Sequence, residues 1–163
     1  MRKCFYFVLI RSAMRRFIFI LFLCLLPRAS VAGEVIDGPV AASLVDVADG
    51  DTLTLKAHIW IAQTIEMKVR LTGIDAPELH GECDGERLRA RQAKDYLSSL
   101  VEGRALTMSE VRNDKYGGRV LARVSAEGRG DVAAAMLAKG LVRVYNGGKR
   151  LRWCDVAQSV FDP

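Results

Sequence analysis

The chain has 163 residues, with 24 Lys and Arg against 19 Asp and Glu, a formal net charge of +5. Six of the basic residues (Arg2, Lys3, Arg11, Arg15, Arg16 and Arg28) precede Ala32 in a stretch without acids, which leaves 18 basic against 19 acidic side chains, a net of −1, from Gly33 onward. The basic character therefore belongs to a leader and is no argument for nucleic-acid binding; half the residues are apolar, which excludes a disordered chain, a collagen and a coiled coil.

The run from Phe17 to Leu26 is wholly apolar, follows Arg15 and Arg16, and precedes Pro27 and the small-residue site Ser30-Val31-Ala32. This is the pattern of a secretory signal cut after Ala32. The expectation is a leader over 1–32 and one domain over 33–163, secreted or periplasmic, with Met14 as an alternative start. The apolar run is shorter than the roughly 20 residues of a spanning helix; an uncleaved anchor is the alternative. Cys4 and Cys24 fall in the leader, so the mature chain holds Cys83 and Cys154. In an oxidising compartment such a pair is expected to form one disulfide, with two core thiols as the alternative.

In chain order, Leu44, Val45 and Val47 form a first strand before the turn at Asp49-Gly50. Leu53 and Leu55 alternate with Thr52, Thr54 and Lys56, and Met67, Val69 and Leu71 alternate with Lys68, Arg70 and Thr72, as half-buried strands do. The period then becomes helical at Leu88, Ala93, Leu97 and Leu100, with Asp84 as the expected N-cap and Gly103 as the stop. Strands follow at about 105–111 and 120–125 around the turn 113–118, then a helix over 131–139. A short extended piece at 141–145 leads to a basic helix over about 149–158. Three strands, a helix, two strands and a helix is the order of an α+β fold built on a five-stranded OB-type Greek-key β-barrel with two to three flanking helices. Such barrels present a face and loops to oligonucleotides or oligosaccharides.

Three stretches carry charge that a packed strand has no use for. Asp49 and Asp51 sit two residues apart at a turn, a spacing that directs extended side chains the same way and favours a shared cation. In Arg70-Leu71-Thr72-Gly73-Ile74-Asp75-Ala76-Pro77-Glu78 the end of a strand supplies two acids around a proline. Asp75 can join Asp51 on a hard divalent ion with the Ala76 carbonyl as a neutral ligand, and Glu78 can hold or deprotonate a water beside it. Asp114-Lys115-Tyr116-Gly117-Gly118-Arg119 is a turn that presents a second arginine, and two guanidiniums can bracket a phosphoryl group.

Together with Val47 to Thr52 and the helix ending in Lys139-Gly140-Leu141, these motifs fall in order over about 100 residues, and the sequence resembles the staphylococcal nuclease (thermonuclease) family. The resemblance implies a calcium-dependent nuclease that cleaves single- or double-stranded DNA and RNA with little sequence preference and leaves 3′-phosphates; a monomer without a stable protein partner is a separate expectation. It also implies that Asp51, Asp75 and Ala76 hold Ca2+, that Arg70, Glu78 and Arg119 are catalytic, and that Lys115, Tyr116 and Tyr145 line the nucleotide pocket. Asp49 matches a position near the ion but outside its ligand set. The family's commonest turn has one glycine where this chain has Gly117-Gly118, so either a bulge absorbs the second or Arg119 is displaced. With the mature domain near neutral, Lys68, Arg112, Lys115, Lys149, Arg150 and Arg152 are candidates for local backbone affinity, with Tyr145 and Trp153 for stacking. The alternative is a non-catalytic OB-fold module of the cell envelope that binds nucleic acid or protein.

Overall fold

The computed structural model describes residues 34–154 apart from Tyr116. The leader and its expected cleavage site lie outside the described residues. A two-residue strand, β1 (Val35–Ile36), precedes the antiparallel meander of β2 (Val40–Asp49), β3 (Thr52–Trp60) and β4 (Gln63–Leu71). The alternation in the sequence builds it: Leu53 faces Val69 and Leu55 faces Met67 across the ladder. Leu53, Leu55, Val69 and Leu71 are buried, while Lys56 and Lys68 point to solvent. Burying each such leucine is worth about 1.5–3 kcal/mol.

The chain continues through β5 (Ile74–Asp75), helix α1 (Asp84–Val101), and the hairpin of β6 (Leu106–Asn113) and β7 (Arg119–Ala126). β7 pairs in parallel with β4, while β6 pairs antiparallel with both β7 and β2. The five strands β2-β3-β4-β7-β6 thereby close into a mixed barrel. After β8 (Gly130–Asp131) and helix α2 (Val132–Ala138), β9 (Arg143–Val144) returns to pair with β5, setting Arg143 opposite Asp75. The result is the expected α+β fold, an OB-type barrel with two helices among the described residues. Ala93, Leu97, Leu100 and Val101 of α1 share one core with Leu106, Met108, Val124 and Met136.

The structure corrects local expectations. The N-cap of α1 is Cys83, without a side-chain cap bond, and not Asp84. Leu88 is exposed and Glu86 is buried, because the loop of residues 78–83 lies over the first turn of α1 and takes its hydrogen-bond acceptors from Glu86. The basic helix expected over 149–158 is absent from 149–153, where the chain is irregular; residues beyond Cys154 lie outside the described ones. Asp131, expected as the first residue of the second helix, is its N-cap instead, accepting a hydrogen bond from Ala134 N at 2.8 Å.

Candidate active site

The turn at Asp49-Gly50-Asp51 delivers an acid to one end of the barrel. Asp49 Oδ1 accepts from Asp51 N at 3.0 Å, so this carboxylate closes the turn. The Asp51 carbonyl accepts from Leu71 N at 2.9 Å, which ties the turn to the end of β4. Gly50 is required by close packing: a Cβ there would lie 2.7 Å from the Ala93 Cβ and 2.9 Å from the Ala76 Cβ.

Asp51 is buried. Its Oδ1 accepts from Arg70 Nη1 at 2.7 Å and from the Thr52 hydroxyl at 2.9 Å, and its Oδ2 accepts from Ala76 N at 3.1 Å. Burial pushes its pKa up to about 7; the neighbouring Asp49 adds to the shift and Arg70 opposes it. Asp75 has no exposed side-chain surface. Its Oδ2 accepts from Arg143 Nε and Nη2 at 3.1 and 2.9 Å and from the Trp153 indole at 3.2 Å. Its Oδ1 accepts from Arg150 Nε at 2.5 Å and lies 3.6 Å from Arg70 Nη2.

Arg150 also donates to the Ala76 carbonyl at 3.2 Å and to Glu78 Oε1. Burial works against its charge, but the contacts with Glu78 and Asp75 outweigh this and raise its pKa. Three carboxylates (Asp51, Asp75, Glu78) and three guanidiniums (Arg70, Arg143, Arg150) thus form one linked cluster. Glu86 aims Glu78 from behind, its Oε1 accepting from Glu78 N at 3.2 Å and its Oε2 from Glu82 N at 3.1 Å.

Arg119 arrives from the other side. The parallel register sets it beside Lys68, two positions from Arg70, on the same face of the sheet. Its Nε donates to Asp114. The extra glycine sits in the hairpin tip: Asp114 N donates to the Arg119 carbonyl at 3.3 Å, Gly118 takes φ +85°, and the ladder resumes with Asn113 opposite Val120. A cleft of about 530 Å3 opens there between Thr54, Glu66, Lys68, Gly118 and Arg119. Lys115 is exposed on the tip, and Tyr116 lies outside the described residues. Tyr145 does not line this cleft; its hydroxyl donates to the Gly148 carbonyl at 2.8 Å and closes the turn after β9.

Asp51, Arg70, Asp75, Ala76 and Glu78 are therefore brought together by direct bonds, and Arg119 by register. Sequence reasoning misses Thr52, Glu86 and Arg143 as partners of the acids, and reads Arg150 and Trp153 only as candidate nucleic-acid contacts. One signal for Arg150 exists: Cys83 lies five residues beyond Glu78 and Cys154 four beyond Arg150, so a bridge between the cysteines draws Arg150 toward Glu78. That bridge is present, with Cα atoms 5.9 Å apart. Cys83, Glu86 and Cys154 lie together, but the bonded sulfurs offer no thiolate to a metal.

The profile described as "Staphylococcal nuclease homologue" matches residues 68–153, more than half of the chain. The chain is 31% identical over 102 residues to "Probable endonuclease LCL3" of Leptosphaeria maculans, covering 61% of this chain and 34% of that protein. It is 38% identical over 82 residues to the protein of the same description from Clavispora lusitaniae, covering 48% and 35%. With an "Uncharacterized endonuclease" of Escherichia coli the identity is 30% over 111 residues, covering 68% of this chain and 65% of that one. The chain thus spans about a third of the length of these fungal relatives. A barrel closed by the β4–β7 seam, acids and arginines meeting at one end of it, and a profile match over most of the same segments lead to one conclusion: the chain belongs to the staphylococcal nuclease homologue family.

Proposed function

We propose that the protein is a calcium-dependent nuclease, exported to the periplasm or the medium, that acts as a monomer on DNA and RNA and leaves 3′-phosphate ends. The observation that carries this reading is the meeting of Asp51, Arg70, Asp75, the Ala76 carbonyl and Glu78 at one end of the barrel. The relatives described as endonucleases support the reaction class; the leader pattern and the disulfide support export.

Asp51, Asp75 and the Ala76 carbonyl make an all-oxygen donor set, which fits a hard divalent cation, and these residues would hold it. An ion held there would supply positive charge against the charge that builds on the phosphate and would make a water easier to ionise. Arg70, oriented by Asp51, and Arg119, on the same face, donate to the phosphate oxygens as negative charge builds on them. Glu78, nearly half exposed, accepts the proton as the water oxygen bonds to phosphorus in line with the departing 5′ oxygen, which is protonated from solvent. A second reading, a binding module without catalysis, is favoured by Arg150 donating to Asp75, Ala76 and Glu78 at once.

The test is cleavage of single-stranded DNA by the purified protein in a calcium series, in magnesium and in chelator. Cleavage that needs calcium and falls by orders of magnitude in Arg70→Ala and Glu78→Gln is expected. An absence of cleavage at every calcium concentration leaves the binding module.

A further inference from the structure

The strap from Tyr145 to Cys154 crosses the acidic end of the barrel. It leaves β9 through Gly147 and Gly148, both in the left-handed region that favours glycine, at φ +93° and +94°. Its far end is fastened to the N-terminus of α1 by the Cys83–Cys154 disulfide. Between these points Arg150 reaches three oxygen-bearing groups at once: Asp75, the Ala76 carbonyl and Glu78. Those are oxygens that the nuclease reading assigns to the cation and to the water.

We propose that Arg150 is an intrinsic competitor for the divalent ion, held in the cation's seat by a strap that the disulfide fastens, so that this strap sets how tightly the protein takes calcium. This rests on the nuclease reading of the same site. Three observations make the seat exchangeable. Arg150 is 40% exposed, against 22% for Arg143 and 13% for Arg70, so its withdrawal returns it to water at small cost. Asp75 keeps Arg143 of β9 as a donor, with Arg70 of β4 alongside, when Arg150 leaves, so no buried carboxylate is stranded. Withdrawal also removes one positive charge from beside Asp75 and Glu78, which favours a cation there.

Strap and ion then exclude one another. A cation on Asp75 and Ala76 repels the guanidinium, and the guanidinium consumes the lone pairs the cation needs. The disulfide tilts the exchange by keeping Arg150 close; a dithiol reductant that cleaves the bond to two thiols, becoming a disulfide itself, lets the strap diffuse away and relaxes that bias.

Calcium titration calorimetry on the purified, disulfide-bonded protein without nucleic acid tests the proposal. Arg150→Ala is expected to bind calcium at least tenfold more tightly than wild type, and Arg150→Gln, which keeps much of the side chain's bulk without charge, should do likewise if the alanine variant folds poorly. Arg129→Ala removes one positive charge from an exposed turn and is expected to leave calcium affinity within twofold. Equal affinities in wild type and both Arg150 variants overturn the proposal, as does an equal gain in Arg129→Ala. Dithiol reduction, or Cys83→Ser with Cys154→Ser, should tighten binding several-fold; an unchanged affinity overturns the role given to the disulfide. Calcium-dependent cleavage with equal affinities sinks the Arg150 proposal alone. Tighter calcium binding by the variants without cleavage at any concentration sinks the nuclease reading instead.

Discussion

Asp51 combines burial with three hydrogen-bond donors, and burial dominates, lifting its pKa from 3.8 to about 7. In the unfolded chain the same carboxyl ionises near its ordinary value. Between the two the folded state holds the proton and the unfolded state does not, so protonation favours the fold fully at the acid end and this contribution is lost as pH rises toward 7. Asp51→Asn has no proton to lose there. We expect the urea midpoint of the wild type in chelator to fall from pH 4 to 7 more steeply than that of Asp51→Asn; parallel curves would refute the assignment. At this scale the acids are legible in the sequence, because Asp51 stands at a turn and Asp75 at a strand end, where packing alone has no use for a carboxylate. Glu86 is not legible. Its helical position looks solvent-facing, and only the loop of residues 78–83 folding back over α1 gives a buried carboxylate a reason to be there: the Glu78 and Glu82 N–H groups need acceptors.

At the scale of elements, the site depends on how closely α1 approaches the β2–β3 turn. Gly50 makes that approach possible, and Gly50→Ala would drive a methyl into the Ala93 and Ala76 side chains. A displacement of the turn costing about 1–3 kcal/mol is expected, read as a lowered urea midpoint, together with a loss of calcium-supported cleavage as Asp51 moves relative to Arg70. An unchanged midpoint would show that the contact is not tight. Strands β3 and β4 and both helices are readable from their periods, since burial on one face leaves a pattern of two or of 3.6 residues. The segment 149–153 is misread as helix because its conformation is set from outside. Arg143 donates to the Leu151 and Arg152 carbonyls, while Arg150 and Trp153 reach Asp75. Contacts so distant in sequence leave no local period.

For the whole molecule, the disulfide closes the domain across a sequence separation of 71 residues. A mass measurement on exported protein without reductant should find the chain lighter by two hydrogens than its dithiol form; two alkylatable thiols would contradict this. Reduction should lower stability by about 4 kcal/mol if loop entropy in the unfolded chain dominates, measured as a shift of the urea unfolding curve. The cysteine count makes this link readable in advance, and the near-neutral charge from Gly33 onward shows equally early that any hold on nucleic acid must be local.

The parallel seam between β4 and β7 has one further consequence. Arg70 and Arg119 are 49 positions apart in the chain and share a face only where that seam joins. Contacts of such span form late, after the ordering cost of the intervening chain has been met. A nascent polypeptide therefore carries the ingredients of the candidate site scattered along its length, and they stand together only once the barrel has shut.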